Sequence, residues 1–244
     1  MTFNFFFKRN KKIVDCFTAN QHAYNLFPIS SSSKNFPDWW KNTPATLERN
    51  NSANLTIEVS TAKTCQGILD LYKKSYTLPL WSDLLMETEE QGCRFQFADG
   101  ISTLSFHESI LTNHAFGNYL NIKLLSPWFL KESSGVNFLF NQPFWNMPND
   151  IDHVHIPPGI LEFKYQHSTH VNLLLSKGHR HNWAAGRAMA TLTPLTEASI
   201  EFRNHLVSDS ELKNISGANL PFFVGAYHKS KKITESKCPY SKQP

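Results

Sequence analysis

The sequence predicts a mainly β fold, a β-sandwich or jelly roll of about nine to twelve strands with one or two helices packed on it. Aromatic residues form 13% of the 244 residues, with 19 Phe and 6 Trp among them, and such side chains pack well on pleated sheets. Short apolar or alternating segments recur along the chain, and turn residues separate them at fairly even intervals. Repeated short strands of this kind are typical of sandwiches and barrels.

The composition is that of a folded globular domain. Hydrophobic residues account for 41% and charged residues for 18%, which is not the composition of a disordered protein. We expect a single β-rich domain over residues 1–228, with residues 1–45 as an N-terminal arm and loop packed on it. Residues 229–244 are polar and basic, and we expect them to form a tail without a core of its own.

Charge, hydropathy and cysteine spacing exclude several classes of protein. The net charge is only +4 and acids and bases are mixed along the chain, so nucleic-acid binding is not indicated. The N-terminal Phe run is short and lacks a cleavage site, and no window approaches the length of a membrane-spanning helix. The four cysteines lie far apart, without zinc-finger or redox spacing, and reduced cytoplasmic thiols are expected.

The first half of the chain predicts strands, one good helix and a hairpin. Residues 3–19 indicate a strand interrupted by the basic patch Lys8–Lys12, which we interpret as a solvated hairpin turn. Pro37 and Asp38 favour a short helical turn. Residues 54–61 alternate as a strand with Leu55, Ile57 and Val59 on one face, and residues 62–75 have helical spacing. A hairpin is predicted from residues 78–87 and 93–98, with Gly92 in its turn.

The second half predicts a series of short strands. Residues 197–211 fit either a helix or a strand, and both interpretations stay open. The predicted strands cover residues 120–125, 136–140, 160–166, 171–175, 188–192 and 222–227.

Six of the eleven histidines fall between His153 and His181. His153 and His155 alternate, so on a strand both side chains lie on one face. Glu162 follows a Pro-Pro-Gly turn and supplies the carboxylate of a His, His and carboxylate set, which suits Fe, Mn or Zn. A His-x-His followed by Glu resembles the cupin pattern, although the Glu spacing differs and the flanking glycines are missing.

His167 and His170 are the candidates for a further ligand or a proton shuttle. They are three residues apart, so on a strand they face opposite sides unless the chain turns at Ser168 and Thr169. His179 and His181 are expected at a loop tip. The alternative is that all of these histidines are separate surface or cross-strand residues. No nucleophile elbow and no glycine-rich phosphate loop occurs in the sequence.

Several ordered landmarks resemble a family of uncharacterised proteins that is common in tailed phages of marine cyanobacteria and has bacterial relatives. The landmarks run over most of the chain, from Ile13 to Glu197. The resemblance implies a phage or phage-like origin and a β-rich, cupin-like domain, but no established activity and no functional residues. The histidine cluster is not part of the family pattern. The landmark strings are P-D-W-W-K, T-C-Q-G-I-L-D-L-Y, L-P-L-W-S-D-L, L-L-S-P-W, L-E-F-K-Y-Q and A-G-R-A-M-A-T-L-T-P-L.

Two hypotheses for function follow. In the first, the protein is a phage accessory enzyme, a metal-dependent oxygenase or isomerase of the host cytoplasm that uses the His153, His155 and Glu162 set. In the second, it is a non-enzymatic virion structural or assembly protein that contacts itself or other phage proteins through aromatic-rich faces and terminal arms.

Overall fold

The computed structural model of the protein describes residues 11–50, 52, 55–106 and 116–216. Over these residues the chain is mainly β, with seventeen mostly short strands and four α-helices. The prediction of a mainly β fold is confirmed, and the packed, largely antiparallel sheets are consistent with a β-sandwich. The finer assignment to a jelly roll or cupin stays a prediction.

The elements are numbered in chain order. The helices are α1 (Gln21–Leu26), α2 (Asp38–Asn42), α3 (Gln66–Lys74) and α4 (Asp209–Ser216). The strands are β1 (Lys11–Thr18), β2 (Ser30–Ser31), β3 (Thr46–Asn50), β4 (Thr56–Ser60), β5 (Tyr76–Pro79), β6 (Leu84–Thr88), β7 (Cys93–Phe97), β8 (Leu104–Phe106), β9 (Tyr119–Leu124), β10 (Phe129–Glu132), β11 (Asn137–Asn141), β12 (Val154–His155), β13 (Gly159–Glu162), β14 (Val171–Ser176), β15 (Arg180–Trp183), β16 (Ala188–Pro194) and β17 (Ser199–Leu206).

The described strands form five sheets. Their orders are β10-β1-β17, β13-β11-β16-β5-β2, β12-β14-β9-β8, β15-β6-β7 and the two-stranded β3-β4. Neighbouring strands are antiparallel except for β1 and β17, which run parallel over eight residue pairs from Lys11 opposite Ser199 to Thr18 opposite Leu206. The two ends of the described chain therefore meet in one sheet.

One continuous apolar core lies between the sheets. Its largest fully buried side chains include Trp81, Trp128, Trp183, Phe138 and Phe163. Full burial of a side chain as large as Phe contributes about 1.5–3 kcal/mol. Three tryptophans and two phenylalanines are therefore among the largest side chains that fill the space where the sheets pack.

Several predicted elements occur as expected. The β6-β7 hairpin forms with its turn at Glu89, whose amide donates to the Gly92 carbonyl at 2.8 Å. The helix predicted over residues 62–75 appears as a short 3-10 turn followed by α3. Pro37 precedes α2, as its ring geometry favours. No helix within the described ranges is long and apolar enough to cross a membrane.

Other predictions are corrected. Lys11 and Lys12 belong to β1 and not to a hairpin turn, and Lys11 forms an ion pair with Glu201 in the neighbouring β17. β13 ends at Glu162 because the carbonyl of that residue accepts from the amides of Tyr165 and Gln166, both at 3.0 Å, and turns the chain. The ambiguous residues 197–211 contain β17 and the start of α4. The strand predicted at 222–227 and the basic tail lie outside the described residues.

Candidate functional site

His153 lies outside β12, the strand that was predicted to contain both His153 and His155. His153 lies in a turn, because its amide and that of Val154 donate to the Asp150 carbonyl at 3.0 and 2.8 Å. Only His155 lies in β12, where its ring meets Tyr119 edge-on with 5.4 Å between ring centroids. The prediction that both side chains share one strand face is therefore wrong.

The remaining predicted site residues contact different neighbours. Glu162 is opposite Asn137 in the five-stranded sheet, whereas His155 lies in the four-stranded sheet. His167 Nδ1 is 2.9 Å from the Leu130 carbonyl oxygen. In the part of the chain that the structure describes, no group of three or more His, Cys, Asp and Glu side chains is arranged to hold a metal ion. The metal site and the roles of His167 and His170 stay predictions.

A polar cluster around Asp150 was not found from the sequence. The Asp150 carboxylate accepts from Arg187 Nη2 at 2.7 Å and from Trp183 Nε1 at 3.2 Å, and His181 Nδ1 lies 3.6 Å away. Burial alone would raise the pKa of Asp150, but the bonds from His181, Arg187 and Trp183 outweigh it and hold that pKa well below its usual range. These partners are far from Asp150 in sequence, so no local sequence pattern predicts the cluster.

Three histidines lie beside this cluster. The rings of His153 and His179 stack with centroids 3.8 Å apart. His181 was expected at a loop tip but is buried in β15, and its Nε2 atom has no hydrogen-bond partner among the described residues. Desolvation, together with the charges of His153 and His181, lowers the pKa of His179.

The outer face of the four-stranded sheet carries polar side chains. Ile122 and Leu124 of β9 point into the core and are fully buried, so Asn121 and Lys123 face the other way. Lys123 is half-buried, and desolvation lowers its pKa. His170, which precedes β14, is held against Phe129 with ring centroids 6.3 Å apart. Burial and the charge of Lys123 lower the pKa of His170 to about 4.

A small cleft of about 360 Å³ lies beside α3 and is open to solvent. The polar side chains that line it are engaged with the protein itself. Tyr72 donates to Asn146 Oδ1 at 2.6 Å, and Asn146 in turn donates to the Asn35 carbonyl at 2.8 Å. Gln142 bridges the Val154 carbonyl and the Ile156 amide, both at 3.1 Å. These bonds fasten the surrounding loops to each other.

The β3-β4 ribbon presents a different kind of surface. Its two strands pair with each other and with none of the other described strands. Leu47 and Ile57 share one face of the ribbon and are 51% and 42% exposed, and the adjoining Leu55 is 63% exposed. On the opposite face Glu48 stands directly across from Glu58. The predicted strand is confirmed over Thr56–Ser60, but Leu55 and Ile57 on its apolar face are exposed to solvent.

Comparison with known proteins identified no relative: no protein-family model, curated protein or solved structure matches this chain.

Proposed function

We propose that this protein is a non-enzymatic structural or assembly component of a tailed-phage particle. The observation that carries the proposal is the β3-β4 ribbon, in which β4 has the alternation of a half-buried strand, yet Leu47 and Ile57 are exposed on a face that also carries Arg49. The resemblance of the sequence landmarks to a family of uncharacterised proteins that is common in tailed cyanophages implies the phage origin. The protein would be made in the host cytoplasm and then join the particle.

The energetics of the ribbon favour a partner. A two-stranded ribbon is marginal in water unless further strands or a packed face support it. Full burial of an exposed Leu or Ile contributes about 1.5–3 kcal/mol, and Leu47, Leu55 and Ile57 are already partly covered. Covering their remaining surface would therefore add about 1 kcal/mol for each side chain.

The charges of the ribbon indicate what kind of partner it has. Glu48 and Glu58 face each other across the ribbon, and like charges directly opposite destabilise a strand pair. Edge pairing of two copies about either glutamate would place further carboxylates opposite each other. A different particle protein that contacts both faces of the ribbon, with an apolar surface on the Leu47 face and Lys or Arg on the Glu48 face, would instead relieve the repulsion.

The test places the double variant Leu47→Ser with Ile57→Ser in the encoding phage. Wild-type protein should be found by quantitative mass spectrometry in purified particles or in sedimenting assembly intermediates, and the double variant should be depleted at least tenfold. The matched control is Ile101→Ser, which changes a 77% exposed side chain outside the ribbon and should associate normally.

Wild-type protein found only in the soluble fraction of infected cells would contradict the proposal. Equal association of the ribbon variant and the control would show that the ribbon is not the contact surface. Sedimentation of the purified wild-type protein tests whether a second copy of the chain binds the ribbon. A dimer that depends on the ribbon would identify that second copy as the partner.

A metal-dependent oxygenase or isomerase is the second candidate function. The observation behind it is that His153, His179 and His181 lie near Asp150, although these described side chains do not have the arrangement of a metal site. In this hypothesis Fe, Mn or Zn is held by a set that includes His153, with His155 and Glu162 as the other predicted ligands. His167 or His170 would then be a further ligand or move a proton.

Metal content separates the two candidates. Protein purified without a His tag should contain near-stoichiometric Fe, Mn or Zn if the second candidate is correct, and the double variant His153→Ala with His155→Ala should lose it. His22→Ala, at an exposed position on α1, is the control and should retain it. Metal-free wild-type protein after reconstitution attempts with each ion would exclude this candidate.

A further inference from the structure

The strand register places Lys123 close to the neutral ring of His170 on the outer face of the four-stranded sheet. Lys123 of β9 is directly opposite Asn172 of β14, and His170 lies two residues before Asn172. His170 comes directly before β14, so its position is diagonal to that of Lys123 and within reach of a long side chain. The charge of Lys123 indeed acts on His170.

Neither group has a partner for its donor atoms in the described parts of the chain. His170 Nδ1 is buried and has no hydrogen bond. Lys123 is half-buried and forms no ion pair with any described carboxylate. A buried ring nitrogen without a hydrogen-bond partner is unfavourable, so His170 Nδ1 is a feature that needs an explanation.

The surrounding face supplies donors and no acid. Asn121 precedes Lys123 on the same face and adds an amide group. No Asp or Glu is among the outward-facing residues of the sheet within the described ranges. These are Ser105, Tyr119, Asn121, Lys123, His155, Asn172, Leu174 and Ser176 on the strands, with His170 beside them.

We propose that Lys123 and His170 form a binding site for a single oxyanion, the carboxylate or phosphate group of a ligand. The Lys123 ammonium supplies the charge, and the His170 ring, as its Nδ1–H tautomer, donates to an oxygen of the same group once the ligand displaces the side chains that enclose this nitrogen. Phe129 packs edge-on against the His170 ring and limits its rotation. This site is independent of the ribbon and of the proposed place of the protein in a particle.

The experiment is an NMR titration of the histidine ring signals with inorganic phosphate in one arm and acetate in the other. We expect saturable shifts of the His170 ring with a dissociation constant of about 1 mM or tighter in at least one arm. The anion that binds more tightly, phosphate or acetate, indicates whether the ligand presents a phosphate or a carboxylate group to the site.

Two variants make the titration decisive. Lys123→Met keeps the aliphatic stem within the sheet and removes the charge, and it should weaken binding at least tenfold. Lys164→Met removes an exposed lysine outside this face and should bind as the wild type does. Well-dispersed amide spectra of both variants would show that they are folded. The absence of a saturable His170 shift in both arms, or equal affinity of Lys123→Met and wild type, would overturn the proposal.

Discussion

Asp150 joins three segments of the chain: its carboxylate accepts from Trp183 at the end of β15 and from Arg187 before β16, and its backbone carbonyl accepts from the turn that carries His153. Its side chain is 15% exposed and that of Arg187 is 18% exposed, so water screens the pair only weakly. Removing one partner of such a pair leaves the other charge desolvated. The Asp150 carboxylate therefore stabilises the fold by neutralising the charge of Arg187 as much as by accepting hydrogen bonds.

We predict that Asp150→Asn lowers the free energy of unfolding by about 2–4 kcal/mol, measured by urea denaturation at pH 7. The folded-state pKa of Asp150 is depressed, so its contribution is fully present above the unfolded pKa of about 3.9 and is lost as the pH falls through the folded pKa. The difference in the free energy of unfolding between Asp150→Asn and the wild type should accordingly become smaller below about pH 4.

Asp38→Asn is the control for this prediction, since Asp38 pairs with Lys41 on the exposed surface of α2. It should change stability by less than about 0.5 kcal/mol. Equal effects of the two substitutions would refute the assignment of Asp150 as a stabilising ion-pair partner.

His170 should make the protein less stable in acid. Its folded-state pKa is about 4, through burial and the charge of Lys123, whereas an unfolded histidine titrates at about 6.5. Between these pH values the unfolded chain binds a proton that the folded chain does not, so stability falls as the pH decreases from about 6.5 to about 4. The loss amounts to at most about 3 kcal/mol.

His170→Phe should therefore show a flatter dependence of stability on pH than the wild type, in urea denaturation at pH 7 and at a pH near 4.5. The ring remains against Phe129 in this variant, which limits the packing change. His22→Phe, at an exposed site, should keep the wild-type dependence. An unchanged slope in His170→Phe would contradict the assigned pKa direction.

At the scale of elements, the spacing of apolar residues correctly predicted the helices and strands whose formation depends mainly on residues near each other in sequence. The spacing of Ile68 and Tyr72 in α3 and the alternation around β6 and β7 were sufficient, because each pattern matches the period of its element. The end of β13 was missed, since the turn over Phe163–Tyr165 depends on bonds to the Glu162 carbonyl that no propensity records. The boundary between β17 and α4 was likewise ambiguous in the periodicity alone.

The turn between β15 and β16 should be sensitive at one glycine. Gly186 has a φ of +83°, and a Cβ there would lie 3.2 Å from Phe27 Cε1. Its amide also donates to the Leu80 carbonyl at 2.7 Å, so the turn cannot easily move away. We predict that Gly186→Ala costs about 1–3 kcal/mol in thermal or urea unfolding.

Gly92→Ala is the matched control for the Gly186 prediction. Gly92 lies in the β6-β7 turn without a positive φ, and a Cβ there would meet no atom within 4 Å. Its replacement should be neutral or slightly stabilising, because alanine reduces the entropy of the unfolded chain. A neutral Gly186→Ala variant would show that the turn relaxes without cost.

At the scale of the whole molecule, the candidate sites depend on contacts that are distant in sequence. The histidine-rich character of residues 153–181 is visible in the sequence, yet the stacking of His153 on His179 and the meeting of His170 with Lys123 depend on how strands pair. Strand register and sheet order are decided by the packing of the entire core, and one-dimensional patterns do not contain them. The Asp150 cluster was missed for the same reason.

The rates of amide hydrogen exchange should differ between the sheets according to how well each is buried and paired. β1 is bonded on both sides, to β10 and β17, and its core-facing Val14 and Cys16 are fully buried, so its amides should exchange among the slowest. The β3-β4 ribbon is exposed and should exchange orders of magnitude faster in the isolated protein. Ribbon amides as protected as those of β1 would contradict its description as an unsupported element.

The parallel pairing of β1 with β17 has a consequence for synthesis of the protein. Lys11 meets Ser199, so roughly 190 residues must be made before β1 gains its second neighbour, which at ribosomal speeds of about 5–20 residues per second takes about 10–40 seconds. During that interval the strand presents an open edge, and nascent chains on one messenger can pair through it. The two lysines that begin β1 reduce this risk, because positive charge on an open edge opposes pairing between identical chains.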